Sequence, residues 1–72
     1  MKVTAIIIDD DLFIATVLRD ILVEHYPKIE VAGVAHSGVE GLQLIEAVKP
    51  DLIFLDVEMP DMNGFEMLFL LK

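Results

Sequence analysis

Asp56 closes the apolar run Leu52-Ile53-Phe54-Leu55, and Asp9, Asp10 and Asp11 close a second run, Ala5-Ile6-Ile7-Ile8. Two short apolar segments thus end on carboxylates. If those ends converge, Asp9, Asp10 and Asp56 lie within a few ångströms of one another. Such a cluster repels itself and raises at least one pKa unless a cation is present. A hard divalent ion resolves the conflict, and Mg²⁺ prefers oxygen ligands while keeping several waters. The pattern lacks the histidines and cysteines that favour zinc. A carboxylate beside such an ion can attack a phosphoryl group, giving an aspartyl phosphate. Taken singly, each aspartate suits a turn or a helix cap equally well.

The elements that must position these carboxylates are short. Val3 to Ile8 is rich in β-branched residues and reads as a buried strand. A helix follows from Leu12 to Tyr26, with Ile14, Leu18, Ile21 and Leu22 at helical spacing. Asp11 suits its N-cap, and Pro27 ends it. Ile29 to Ala35 reads as a second strand containing Gly33. Ser37 and Glu40 have the spacing of a capping box, opening a helix that carries Val39, Leu42, Ile45 and Val48 on one side. Lys49 and Pro50 close it, and Leu52 to Leu55 is a third buried strand. Pro60, Asn63 and Gly64 mark a turn, and Phe65 to Leu71 begins another helix. Alternation of this kind implies an α/β fold with a parallel sheet, whose strand ends share one edge where ligands bind.

Composition narrows the function classes. At 72 residues the chain holds one small domain at most. Its net charge of −8 disfavours direct nucleic-acid binding, which needs clustered Lys and Arg. With no cysteine there is no disulfide, thiolate zinc site or thiol chemistry. The first apolar run is too short and too acidic at its end for a signal peptide or a spanning helix, so a cytoplasmic chain without membrane contact is expected. His25 and His36 share no metal-ligand spacing, and Met59, Met62 and Met67 read as packing residues.

Three stretches together resemble the receiver domain of two-component response regulators: "AIIIDDD", "SGVEGLQLIEAVKPDLIFLD" and "DVEMPDMNG". The acidic pair, the strand-ending Asp and the Met-Pro-x-x-x-Gly turn occur in order and spacing. The resemblance implies a flavodoxin-like parallel sheet in order 2-1-3-4-5, with strands one and three adjacent. It implies Asp56 as the phosphoacceptor and Asp10 as a direct Mg²⁺ ligand, with Asp9 binding the ion through water. It also implies that Glu58 lends its backbone carbonyl, and that phosphate comes from a sensor histidine kinase or a small phosphodonor. In this role the chain is not an enzyme.

Receivers run to about 120 residues, within the usual domain range. Residues 1–72 therefore match a partial receiver of three βα units in strand order 2-1-3, without the last two strands and helices. The Ser or Thr and the Lys that contact the phosphoryl in the family have no counterpart here. Strand three becomes an edge, and apolar area stays open. A homo-oligomer or an exchange of elements between copies is expected to complete the sheet. The rival reading is a non-signalling, oligomerising fragment with an inherited acidic site. A haloacid-dehalogenase-like phosphotransferase fits poorly: its motif needs a second Asp two residues after the nucleophile, where this chain has Glu58.

Overall fold

The computed structural model describes residues 2–56. The expected turn at Pro60 to Gly64 and the helix at Phe65 to Leu71 lie outside them. The described chain runs β1 (Val3–Ile8), α1 (Leu12–His25), β2 (Ile29–Ala35), α2 (Gly38–Val48) and β3 (Leu52–Leu55). The three strands form one parallel sheet in the order β2-β1-β3. All three strands fall where the sequence places them.

β1 is the centre of the molecule. Ala5, Ile6, Ile7 and Ile8 are all fully buried, because the strand is flanked on both edges and covered on both faces. Side chains alternate across a strand, so β1 feeds two cores. Ile6 and Ile8 pack with Ala35 against Leu42, Leu44, Ile45 and Val48 of α2. Ile7 packs with Ala15, Leu18 and Leu22 of α1. Each isoleucine removed from water in this way contributes about 2 kcal/mol.

Local chemistry fixes the helix ends. The Asp11 carboxylate accepts from the amides of Phe13 and Ile14, at 2.9 and 3.2 Å, and so caps α1. Tyr26 ends that helix, its amide donating to the Leu22 carbonyl. Ser37 caps α2 by accepting from the Glu40 amide at 3.1 Å. Lys49 closes α2 in the left-handed conformation, φ 53°, a position where glycine is usual.

The helix faces match the periodicity in part: Leu18 and Leu22 of α1 and Leu42, Ile45 and Val48 of α2 pack against the cores as expected. α1 buries Ala15 and Leu22, and Leu18 packs beside them, while Ile14 and Ile21 are exposed. On α2, Val39 is 52% exposed and Leu44 packs in the core instead. Gly33 on β2 leaves the space that Leu44 fills: a Cβ there would sit 2.9 Å from both Leu44 methyl carbons. β2 also carries a bulge, since Ala5 pairs with Val31 but Ile6 pairs with Gly33, leaving Ala32 unmatched. The ladder between β1 and β3 has no such irregularity.

Candidate functional site

The carboxyl ends of β1 and β3 lie side by side, with Ile8 opposite Leu55. One hydrogen bond beyond the ladder, the Asp56 amide donates to the Ile8 carbonyl at 2.9 Å. On the other edge of β1, the Asp9 amide donates to the Ala35 carbonyl at 3.0 Å. Backbone bonds to neighbouring strands thus fix the Cα positions of Asp9 and Asp56 before any ligand is considered.

The convergence expected from the sequence is present. Asp9, Asp10 and Asp56 each offer an oxygen, and these atoms lie within 4.8 Å of one another. Asp9 and Asp56 are half-buried, and Asp10 is exposed. Asp11, next in sequence, does not join the cluster because its carboxylate is committed to the α1 cap. Its amide instead donates to Asp9 Oδ1 at 2.9 Å, which orients the Asp9 carboxylate. The cluster opens into a cleft whose apolar wall includes Ile14 and Leu18 of α1 and Phe54 of β3.

The electrostatics match that geometry. Asp10 is held above the ordinary carboxylate range, by loss of surrounding water, then by the charge of Asp56, with Asp9 adding less; its own backbone opposes the rise. A side-chain hydrogen bond with Asp56 acts in the same upward direction. Asp10 is exposed, so its loss of water is limited; the Asp56 charge is the contribution that a bound cation would cancel. The donor set is three carboxylates on a solvent-open edge, without histidine or cysteine. That set fits a hard ion that retains waters, and it suits Mg²⁺ better than zinc.

Other residues singled out in the sequence lie elsewhere. Glu58 is outside the described residues. His36 lines a separate depression with Leu12, Thr16, Arg19 and Val34. His25 sits at the exposed end of α1, 3.8 Å from Glu24. Among the described residues no helix is long and apolar enough to cross a membrane.

One residue went unremarked in the sequence. Asp51 precedes β3 and grips β1 at the end opposite the cluster: its Oδ2 accepts from the Thr4 amide at 3.0 Å, and its own amide donates to the Thr4 carbonyl at 2.8 Å. The available signal was an Asp placed directly before a four-residue apolar strand.

Comparison with known proteins places this arrangement among relatives. A family model described as the response regulator receiver domain matches residues 5–72. A protein-glutamate methylesterase/protein-glutamine glutaminase from Methanospirillum hungatei is 48% identical over 66 residues, covering 92% of this chain and 19% of that protein. The response regulator domain of Thermotoga maritima CheB is 37% identical with a TM-score of 0.91, over 99% of this chain and 52% of that one. The CheX-CheY-BeF3-Mg+2 complex from Borrelia burgdorferi matches at 25% identity and a TM-score of 0.82, over 92% of this chain and 49% of that one. The chain therefore spans about half of these solved structures and about a fifth of the methylesterase relative.

Proposed function

Because the chain belongs to the response regulator receiver family, we propose that it is the phosphoacceptor part of a two-component signalling protein. Asp56 takes the phosphoryl group, and Asp9, Asp10 and Asp56 hold Mg²⁺ with the backbone carbonyl of Glu58. The observation that carries this reading is the grouping of three carboxylate oxygens within 4.8 Å at the ends of two adjacent strands. A structural neighbour from Borrelia burgdorferi was solved with Mg²⁺, which supports the choice of ion.

The chain's own residues do the following. Asp56 presents a carboxylate oxygen on a strand end anchored to Ile8. That oxygen attacks phosphorus, and the bond from phosphorus to the donor breaks, its electron pair leaving with the donor group. The donor is a phosphohistidine of a sensor kinase or a small phosphodonor. When bound, Mg²⁺ held by these carboxylates would supply charge neutralisation for the phosphoryl oxygens. Asp10, the most exposed of the three, would be a direct ligand of the ion. Asp9, oriented by the Asp11 amide, would hold it through water. In this role residues 1–72 are part of a receiver and act as an acceptor, not as an enzyme. The methylesterase and glutaminase activities named for the relatives belong to proteins of which this chain covers about a fifth.

Mn²⁺ serves as a paramagnetic stand-in to test the site. Broadening of the Asp9, Asp10 and Asp56 amide resonances at substoichiometric Mn²⁺, reversed by excess Mg²⁺, is the expected result. Uniform broadening over the acidic surface would remove the site from the account.

A second reading, assembly without signalling, draws on a different observation. α1 exposes Leu12, Phe13, Ile14, Val17, Ile21 and Val23, with Phe13 at 74%. Exposed apolar area of this kind favours association of copies. Sedimentation showing a stable oligomer insensitive to Mg²⁺ favours this second reading.

A further inference from the structure

The strand that carries Asp56 has little in its own side chains to say where it should sit. β3 is four residues long and uniformly apolar: Leu52, Ile53, Phe54 and Leu55. A two-residue slide along β1 keeps only two of these four side chains in the ladder and brings a flanking aspartate, Asp51 or Asp56, to a ladder position. A one-residue slip would swap the faces of all four side chains, but a slip of two would not, so the pattern within the strand does not separate registers two apart. A slip of two residues keeps every side chain on its present face and moves Asp56 by roughly 6.6 Å. That displacement exceeds the 4.8 Å span of the carboxylate cluster. The choice between registers two apart therefore falls to the residues that flank the strand.

At one flank, Asp51 makes polar contact with β1. Asp51 and Thr4 exchange two bonds, a carboxylate accepting from the Thr4 amide at 3.0 Å and the Asp51 amide donating to the Thr4 carbonyl at 2.8 Å. A carboxylate acceptor makes the first of these stronger than a neutral pair. The two residues are 47 apart in sequence. The ladder then runs from Ala5 opposite Leu52 to Ile8 opposite Leu55 without a bulge. Asp9 and Asp56 stand at that same offset. The register chosen at the clasp therefore reaches the carboxylate cluster unaltered. The contrast with β2 is informative, because its ladder with β1 shifts between Ala5 and Ile6.

We propose that Asp51 is a positioning residue: its clasp on the Thr4 backbone sets the register of β3 on β1 and so holds Asp56 against Asp9 and Asp10. This rests on the metal and acceptor reading above for its functional consequence, but the register claim can be read without it. Asp51 touches neither ion nor phosphoryl. It acts about five residues, roughly 16 Å, from the site.

The test compares Asp51→Ala, Asp51→Asn and Asp51→Glu with native chain and with Ile29→Val, a mild core change on β2. Two measurements are made on each: amide hydrogen exchange along β3, and Mg²⁺ affinity followed through the Asp9 and Asp56 amide shifts. In Asp51→Ala, exchange at Leu52–Leu55 is expected to quicken at least tenfold relative to β2, with Mg²⁺ affinity at least fivefold weaker. Asp51→Asn, which keeps an acceptor, returns both to within about twofold of native. Ile29→Val leaves affinity unchanged. Should Asp51→Ala not fold, Asp51→Glu decides: the extra methylene disturbs the clasp, so β3 exchange rises at least threefold while β2 stays protected. Native-like β3 exchange in both Asp51→Ala and Asp51→Glu, or equal loss across all strands, overturns the proposal. If native chain shows no Mg²⁺ binding, the metal reading fails and the exchange arm alone still judges the clasp.

Discussion

The amide of Asp56 donates to the carbonyl of Ile8 at 2.9 Å, one step past the last ladder pair. That bond ties the end of β3 to the residue immediately before Asp9. It brings the Asp56 carboxylate beside those of Asp9 and Asp10, at the end of the ladder opposite the Asp51 clasp. The cluster is therefore built by the fold and does not depend on side-chain rearrangement to form.

The cluster has a signature in pH. Asp10 is held above the ordinary range by loss of water and then by Asp56. Its proton is thus bound more tightly in the folded than in the unfolded chain. Between the ordinary value of about 3.9 and the raised folded value, ion-free stability falls as pH rises. The penalty is fully present above the folded value and absent below the ordinary one. Asp10→Asn is expected to melt above the native chain at pH 7 in chelator. The gap is small, because Asp10 is exposed, and it closes near about pH 3.5. Millimolar Mg²⁺ should reverse the order at pH 7. Thermal melts over pH with and without Mg²⁺ check this, and a native chain already the more stable at pH 7 in chelator contradicts it.

Asp11 and Asp9 are adjacent in sequence but divide their work. Asp11→Ala removes the α1 cap and is expected to cost about 1 kcal/mol. It leaves the Asp11 amide in place to orient Asp9, so Mg²⁺ affinity stays within about threefold, the remainder being a screened charge effect. Urea denaturation and Mg²⁺ titration on one variant separate the two roles. A large loss of affinity with no loss of stability would assign Asp11 to the site instead.

Gly33 and Leu44 form a packed pair across β2 and α2. Gly33→Ala places a methyl where Leu44 lies and is expected to cost about 1–2 kcal/mol. Leu44→Ala opens a cavity and is also destabilising. Together they cost less than their sum by about 1 kcal/mol, because the smaller side chain makes room for the methyl. Urea midpoints for the four chains give the coupling, and strict additivity would refute it.

How much of this was legible in the sequence depended on the kind of signal. The three strands were readable because β-branched and continuous apolar runs, closed by aspartates and prolines, leave few other options. The convergence of Asp9, Asp10 and Asp56 followed once those strands were parallel and two of them adjacent. The helix faces were less legible. Leu18, Leu22, Leu42, Ile45 and Val48 pack as their period predicts, but Ile14, Ile21 and Val39 share that period and stay exposed, and Leu44 fills the space that Gly33 leaves. Asp51 was invisible as a clasp because its partner is a backbone amide 47 residues away, and backbone groups leave no mark in a sequence. Glu58 remains a reading from resemblance, outside the described residues.

Intact mass after incubation with Mg²⁺ and a small phosphodonor tests Asp56 as the phosphoacceptor. The native chain is expected to gain one phosphoryl group, chelator to abolish the gain, and Asp56→Asn to show none. A gain that persists in Asp56→Asn, or a native chain that gains nothing while folded and loaded with Mg²⁺, would contradict that role.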